Sequence, residues 1–268
     1  MIQLSALISE FESFWPSAHA EEWDSVGLQV GSKRDQISKV LVAVDLTDTV
    51  IDEAISIGAN LIVTHHPLLL KPVESVTDEK LKGSLITKLI KNSISLFTAH
   101  TNADVQIDGA TTQMAKAFGL VDLKPLIATA GGFGHGCIGE LPTAVRLREF
   151  AKVVSQGLPD TARKVAFAGN PDQAVKVIAI CSGAGDSFLP IVLESNADLY
   201  ITSDLRHHPA LDAISTPRSQ GPLALIDVAH WAAESLWVQS AVARLANIQG
   251  VDVIASTTKT DPWTQEVN

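Results

Sequence analysis

The chain has 268 residues, 46% of them hydrophobic and 19% charged, with a formal net charge of −10. That balance describes an ordered globular chain rather than a disordered one. With no block of Lys and Arg it argues against partners held by phosphate neutralisation, so nucleic acid is not expected.

The two cysteines, Cys137 and Cys181, are far apart and make neither a disulfide framework nor a zinc ribbon. The first residues lack the charged start and apolar core of a signal peptide. No apolar run approaches the roughly 20 residues of a membrane-spanning helix. The expected compartment is the cytoplasm, with no membrane partner.

Ile2, Leu4, Leu7, Ile8, Phe11 and Phe14 stand at helical spacing over residues 2–14, and Trp15-Pro16 ends that helix. Glu21 to Gly31 reads as a structured loop leading to a strand, with Trp23 as a packing anchor. Val40 to Val44 is a strand. Thr47 or Asp48 caps a helix that runs to Ile57, and Gly58 closes it. Leu61-Ile62-Val63-Thr64 is a strand buried on both faces and stopped by Pro67. His65 and His66 therefore sit at its C-terminal edge, where open α/β sheets bind ligands.

Residues 79–92 form a helix, and Ser93 to Phe97 a strand that leads into Thr98-Ala99-His100-Thr101-Asn102-Ala103-Asp104. Residues 109–118 are helical and close at Gly119. The glycine-rich stretch 121–142 reads as an irregular loop and crossover that contains His135. Residues 145–156 form a helix.

A second half resembles the first. Val177 to Cys181 is a strand, Ser182-Gly183-Ala184-Gly185 turns into a helix at about 187–195, and Ala197 to Thr202 is a strand. The turn could present backbone N–H groups to an anion, although it lacks the Lys of a P-loop. Thr64-His65-His66-Pro67 is echoed by Thr202 and, four residues further on than in the first copy, His207-His208-Pro209. Ala99-His100 with Asp104 is echoed by Ala229-His230 with Glu234. These echoes imply an internal duplication of an α/β unit. Residues 231–247 are helical, 251–256 form a last strand, and the tail from Thr257 is expected to be loosely held.

Seven of the eight histidines, all but His19, fall at these strand ends or in the glycine-rich stretch. His230 and Glu234 are i and i+4 at a helix start and share a face. His100 and Asp104 have the same spacing. Three imidazoles with two carboxylates can hold two divalent ions about 3.5–4 Å apart and lower the pKa of a shared water.

At this point the chain resembles the Nif-three-like dinuclear metal-centre proteins, whose bacterial members are called GTP cyclohydrolase I type 2 homologues. The resemblance rests on Glu22-Trp23-Asp24 with Val26 to Gly31, Thr64 to Leu68, His100-Thr101-Asn102 with Asp104, Gly132 to Glu140, Tyr200 to Thr202 with Asp204, and Ala229-His230 to Glu234. Ser25, Ala103, Ser203 and His135 depart from the usual residues without removing a ligand.

The resemblance implies an α/β fold (α+β in some schemes) of two similar intertwined halves, 1–125 and 126–268, with mixed, largely parallel sheets and the metal site between those halves. It implies two divalent ions, Zn, Mn, Fe, Co or Ni, held by His65, His66, Asp104, His230 and Glu234, with Glu234 the first choice as bridge. It implies a homo-oligomer, a toroidal hexamer, and a compact form without the domain inserted in longer relatives. The implied activity is hydrolytic opening of the guanine imidazole ring of GTP with formate release, a small-molecule substrate, and His100 as a proton shuttle beside the metals. The alternative is a metal-binding assembly that serves as a chaperone or regulatory partner without turnover. His207 and His208 either line the cavity or merely open a helix.

Overall fold

The computed structural model describes residues 1–129, 133–265 and 267. Gly131 and Gly132 of the expected glycine loop lie outside the described residues. The chain forms two compact units, residues 1–104 with 238–260 and residues 105–237 with 261–268.

The first unit opens with β1 (Ile2–Gln3) and α1 (Leu4–Phe14), followed by β2 (Gly27–Val30), β3 (Gln36–Ile37) and β4 (Lys39–Ala43). Then come α2 (Asp48–Ile57), β5 (Leu61–Thr64), α3 (Leu81–Lys91), β6 (Ser95–Thr98) and the single turn α4 (Thr101–Asp104). The amide of Val50 donates to the Thr47 hydroxyl at 3.3 Å, and Gly58 takes the left-handed conformation that ends α2. The apolar face of α1 packs on the sheet, with Phe11 and Phe97 edge to face at 4.8 Å.

The second unit runs through α5 (Ala110–Ala117), β7 (Val121–Ala128), β8 (Gly134–Arg146), α6 (Leu147–Gly157), β9 (Ala166–Ala168) and β10 (Ala174–Ala184). It continues through α7 (Leu189–Glu194), β11 (Leu199–Ser203), α8 (His207–Ser215) and β12 (Ala224–Val228). Helix α9 (His230–Leu245) starts there, and β13 (Asp252–Ala255) belongs to the first unit.

The sheet of the first unit has the order β13-β4-β5-β6-β2, with β4, β5 and β6 parallel and β2 antiparallel on the edge. That of the second has the order β7-β8-β10-β11-β12-β9, with β10, β11 and β12 parallel and β9 antiparallel on the edge. In both, a strand laid down before the parallel trio returns to pair with its last member. This shared topology gives the duplication a structural form. The parallel strands are apolar along nearly their whole length because they are covered on both faces.

Three expectations need correction. Residues 121–128 and 134–142 are not an irregular crossover but paired antiparallel strand, β7 and most of β8, with His135 in β8 opposite Ile127. Gly134 and Gly136 serve close strand approach rather than looping: a Cβ on Gly134 would stand 2.1 Å from the carbonyl oxygen of Ile127, and Gly136 takes φ +60°.

Strand β10 does not stop at Cys181 but continues through Ala184, and α7 begins only at Leu189. Gly185 then precedes a 3-10 turn at Asp186–Phe188 that runs directly into α7, so the chain does turn into a helix at the expected place, only after a longer strand.

The segment after β13 is not loose. Glu53 accepts hydrogen bonds from the amide and hydroxyl of Thr257 at 2.7 and 2.9 Å and from the hydroxyl of Thr258 at 2.7 Å. Thr260 donates to Asp45.

Candidate metal centre

In the first unit the pairing of β4 and β5 runs past the assigned strands. The amides of His65 and His66 donate to the carbonyls of Ala43 and Val44 at 3.1 and 2.8 Å. The Thr64 hydroxyl then folds back onto the carbonyl of His66 at 2.9 Å. This turn at the strand end brings the two imidazoles to one side, with their centroids 5.3 Å apart. His100 follows β6 and starts the turn α4, where the amide of Asp104 donates to its carbonyl at 3.0 Å. The i, i+4 spacing is therefore realised as one helical turn, and an Asp104 carboxylate oxygen stands 3.6 Å from His65 Nε2. His65, His66 and His100 each offer a ring nitrogen, and these nitrogens all lie within 4.8 Å of one another.

Each ring is held by its other nitrogen. His65 Nδ1 is 3.0 Å from the carbonyl oxygen of Ala99, His66 Nδ1 is 2.7 Å from Asp45 and His100 Nδ1 is 2.9 Å from Asp24. A carbonyl can only accept, so the proton of neutral His65 sits on Nδ1 and its lone pair on Nε2. The Asp24 side chain is buried. Burial alone would raise its carboxyl, but hydrogen bonds from His100 and Thr101, with the adjacent imidazole charge, outweigh it and hold Asp24 well below the usual carboxylate range.

In the second unit His230 opens α9, and Glu234, one turn on and buried, places a carboxylate oxygen 3.0 Å from His230 Nε2. His230 Nδ1 is 2.7 Å from Asp204, a residue held at φ +55° just past the end of β11. The hydrogen bond with His230 depresses the Asp204 carboxyl, and Arg163 adds to the effect. Arg163 lies 3.6 Å from Asp204 and pairs with Asp227.

Behind Glu234 the backbone comes close. A Cβ on Gly183 would sit 2.6 Å from Glu234 Oε1, and Gly183 takes φ +71°. The hydroxyl of Thr202 donates to the carbonyl of Gly183 at 3.0 Å and that of Tyr200 to the carbonyl of Gly185 at 2.8 Å, so β11 pins this stretch in place.

The donor chemistry fits divalent ions. With Nδ1–H committed to an oxygen, Nε2 is a lone-pair donor, and in both units it faces a carboxylate oxygen. Two acceptors brought this close call for a proton or a metal cation between them. Histidines oriented by a carboxylate or carbonyl on the far nitrogen are the usual arrangement around metals.

The structure thus groups His65, His66, His100 and Asp104 in one unit and His230 with Glu234 in the other. His207 and His208 are exposed on the first turn of α8. Counted from the matching threonines Thr64 and Thr202, it is Asp204, not either of them, that corresponds to His66. The residues that sequence reasoning left without a role are Asp24, Asp45, Asp204 and Arg163. Asp45 and Asp204 both follow strand ends, the same signal that singled out the histidines.

A family profile described as Duf34/NIF3 (NGG1p interacting factor 3) matches residues 2–262. The chain belongs to the DUF34/NIF3 family. A Streptomyces coelicolor protein named as a GTP cyclohydrolase 1 type 2 homolog is 40% identical over all of this chain and 95% of its own length. A Mycobacterium leprae protein of the same name is 30% identical in an alignment of 371 residues covering 97% of this chain and 95% of its own, so this NIF3 chain is a compact member.

Among solved structures, a Bacillus cereus protein related to NIF3 superposes with a TM-score of 0.88 at 26% identity, covering 97% of this chain and 98% of its own. A Staphylococcus aureus protein does so with a TM-score of 0.87 at 29% identity, covering 98% and 99%. No helix among the described residues is long and apolar enough to cross a membrane.

Proposed function

We propose that this NIF3-family protein is a dinuclear metal-dependent hydrolase of the GTP cyclohydrolase I type 2 kind. Its ligands are His65, His66, Asp104, His230 and Glu234, and its substrate is a small molecule, with GTP the first candidate. The observation that carries this reading is the set of imidazoles turned by Asp45, Asp204 and the Ala99 carbonyl so that Nε2 is the donor. Bound divalent ions would supply a Lewis acid that makes water a nucleophile near neutral pH. The chain's own part is to hold the donors, to keep His65 and Glu234 buried, and to place an imidazole for proton transfer. His100, tethered to Asp24, is that imidazole. Hydrolysis at C8 of guanine then opens the ring and releases formate. The assembly expected from the resemblance is a homohexamer.

The test is elemental analysis of wild type and Glu234→Ala, each then offered GTP. About two ions per wild-type chain, clear loss of metal in the variant, and metal-dependent formate release are the expected results. No retained metal after reloading overturns the reading. A second reading, a metal-binding partner protein without turnover, is favoured by the family's description as an interacting factor. His100→Ala separates the two: an enzyme loses formate release while keeping its metal, whereas a binding protein releases none from the start.

A further inference from the structure

Trp23 is 60% exposed, whereas Trp15 and Trp237 are 2% and 1% exposed. The expectation that it anchors packing is overturned. Its surroundings are nonetheless fixed. The amide of Glu21 donates to the Thr101 hydroxyl at 3.0 Å, the amide of Asp24 to the carbonyl of Glu21 at 2.9 Å, and Asp24 itself is buried and tied to His100, Thr101 and Ser25. The turn is thus clamped to the start of α4 on both sides of the indole, while the indole stands in solvent. Its ring lies 6.0 Å from the His100 imidazole, nearly perpendicular to it at 78°. His100 in turn is 5.3 and 5.5 Å from His65 and His66. A large apolar ring left mostly in water on a fixed turn at the edge of a donor cluster costs hydration and gives the fold little packing in return.

We propose that Trp23 is the stacking face for the planar heteroaromatic ring of the substrate, with His100 flanking it. This deepens the hydrolase reading and rests on it for the identity of the neighbouring donors. Stacking is a favourable use of an exposed indole, because every purine or pyrimidine has a π-face and the turn that carries the indole is already fixed. The sequence neighbours Glu21, Glu22 and Asp24 are acidic rather than apolar. They disfavour phosphate there, so Trp23 reads the ring and not the phosphates.

The experiment is calorimetric titration of the full metal-loaded chain with guanosine and with GTP, for wild type, Trp23→Ala, Trp23→Phe and Trp263→Ala. Trp263 is an equally exposed indole and serves as the control. Metal content and sedimentation are recorded for each variant. Trp23→Ala is expected to weaken both ligands by the same factor, about tenfold or more, with metal content unchanged. Trp23→Phe should recover most of the affinity, and Trp263→Ala should match wild type.

Equal affinity of Trp23→Ala and wild type overturns the proposal, as does failure of wild type to bind either ring. A change in oligomeric state confined to the Trp23 variants also overturns it, by showing that the indole packs on a second copy. Trp23-dependent binding without formate release sinks the GTP hydrolase reading and leaves the stacking face standing.

Discussion

At the scale of single residues, metal affinity should depend on groups that never touch an ion. Asp204 and Arg163 set the ring of His230, and Asp45 sets that of His66. Orienting partners of this kind typically carry a factor of 10–100 in metal affinity. Asp204→Asn and Arg163→Met should each fall in that range by chelator competition, and Arg163→Lys should retain more affinity than Arg163→Met. Gly183→Ala should do more damage. Its backbone is in the left-handed region, which costs other residues about 1–2 kcal/mol, and the new Cβ would strike Glu234 Oε1. A lowered Tm together with reduced metal content is the expected outcome; unchanged metal content would mean that Glu234 can move aside.

The histidines were legible in the sequence because imidazoles are rare and these fall at strand ends. Their holders were not, because Asp is common on surfaces and only the fold shows which Asp reaches a ring. Arg163, far from His230 in sequence, could not be chosen from the other cations by spacing.

At the scale of elements, Glu53 on α2 gathers the hydroxyls of Ser256, Thr257 and Thr258 and the amide of Thr257 after β13. Partial burial opposes its ionisation, but these hydrogen bonds win and lower its carboxyl. A depressed carboxyl stabilises the fold fully above its unfolded value, near 4.3–4.5, and loses that contribution as pH falls through the folded value. Protection of amides 256–260 against hydrogen exchange, corrected for the intrinsic rate at each pH, should therefore fall in acid as Glu53 becomes protonated, and Glu53→Gln should abolish that acid-dependent step. If protection is equally pH-dependent in the variant, another group holds the segment.

Most helices and parallel strands were readable from periodicity, down to the Thr47 cap and the Gly58 stop. The β7–β8 hairpin was not. Clustered glycines signal loops by composition, whereas Gly134 and Gly139 exist for contact between neighbouring strands, and that contact is visible only once the pairing is known. The tail failed for the same reason: Ser and Thr are loop formers unless an acceptor such as Glu53 is waiting for them.

At the scale of the molecule, bound ions should stabilise the native state by mass action. Chelation should lower the Tm of wild type, and re-addition of metal should restore it; Glu234→Ala should respond less to both. A melting curve indifferent to chelation would contradict a metal centre built from buried ligands.

The duplication was legible because both copies kept the sequence of strand, Thr and His. Its topology adds a detail that the echoes obscured. Asp24 stands three residues before β2 and Arg163 three residues before β9. Each reaches a group beside the donors of its own unit, Asp24 the imidazole of His100 and Arg163 the carboxylate of Asp204, yet with opposite charge. Likewise His66 and Asp204 occupy matching places, one offering a donor nitrogen and the other steadying His230. In a symmetric pair of identical halves every substitution would appear twice, so a coordinating position could not become an orienting one on one side alone. Joining the halves in one chain removed that constraint and let the two copies divide the labour.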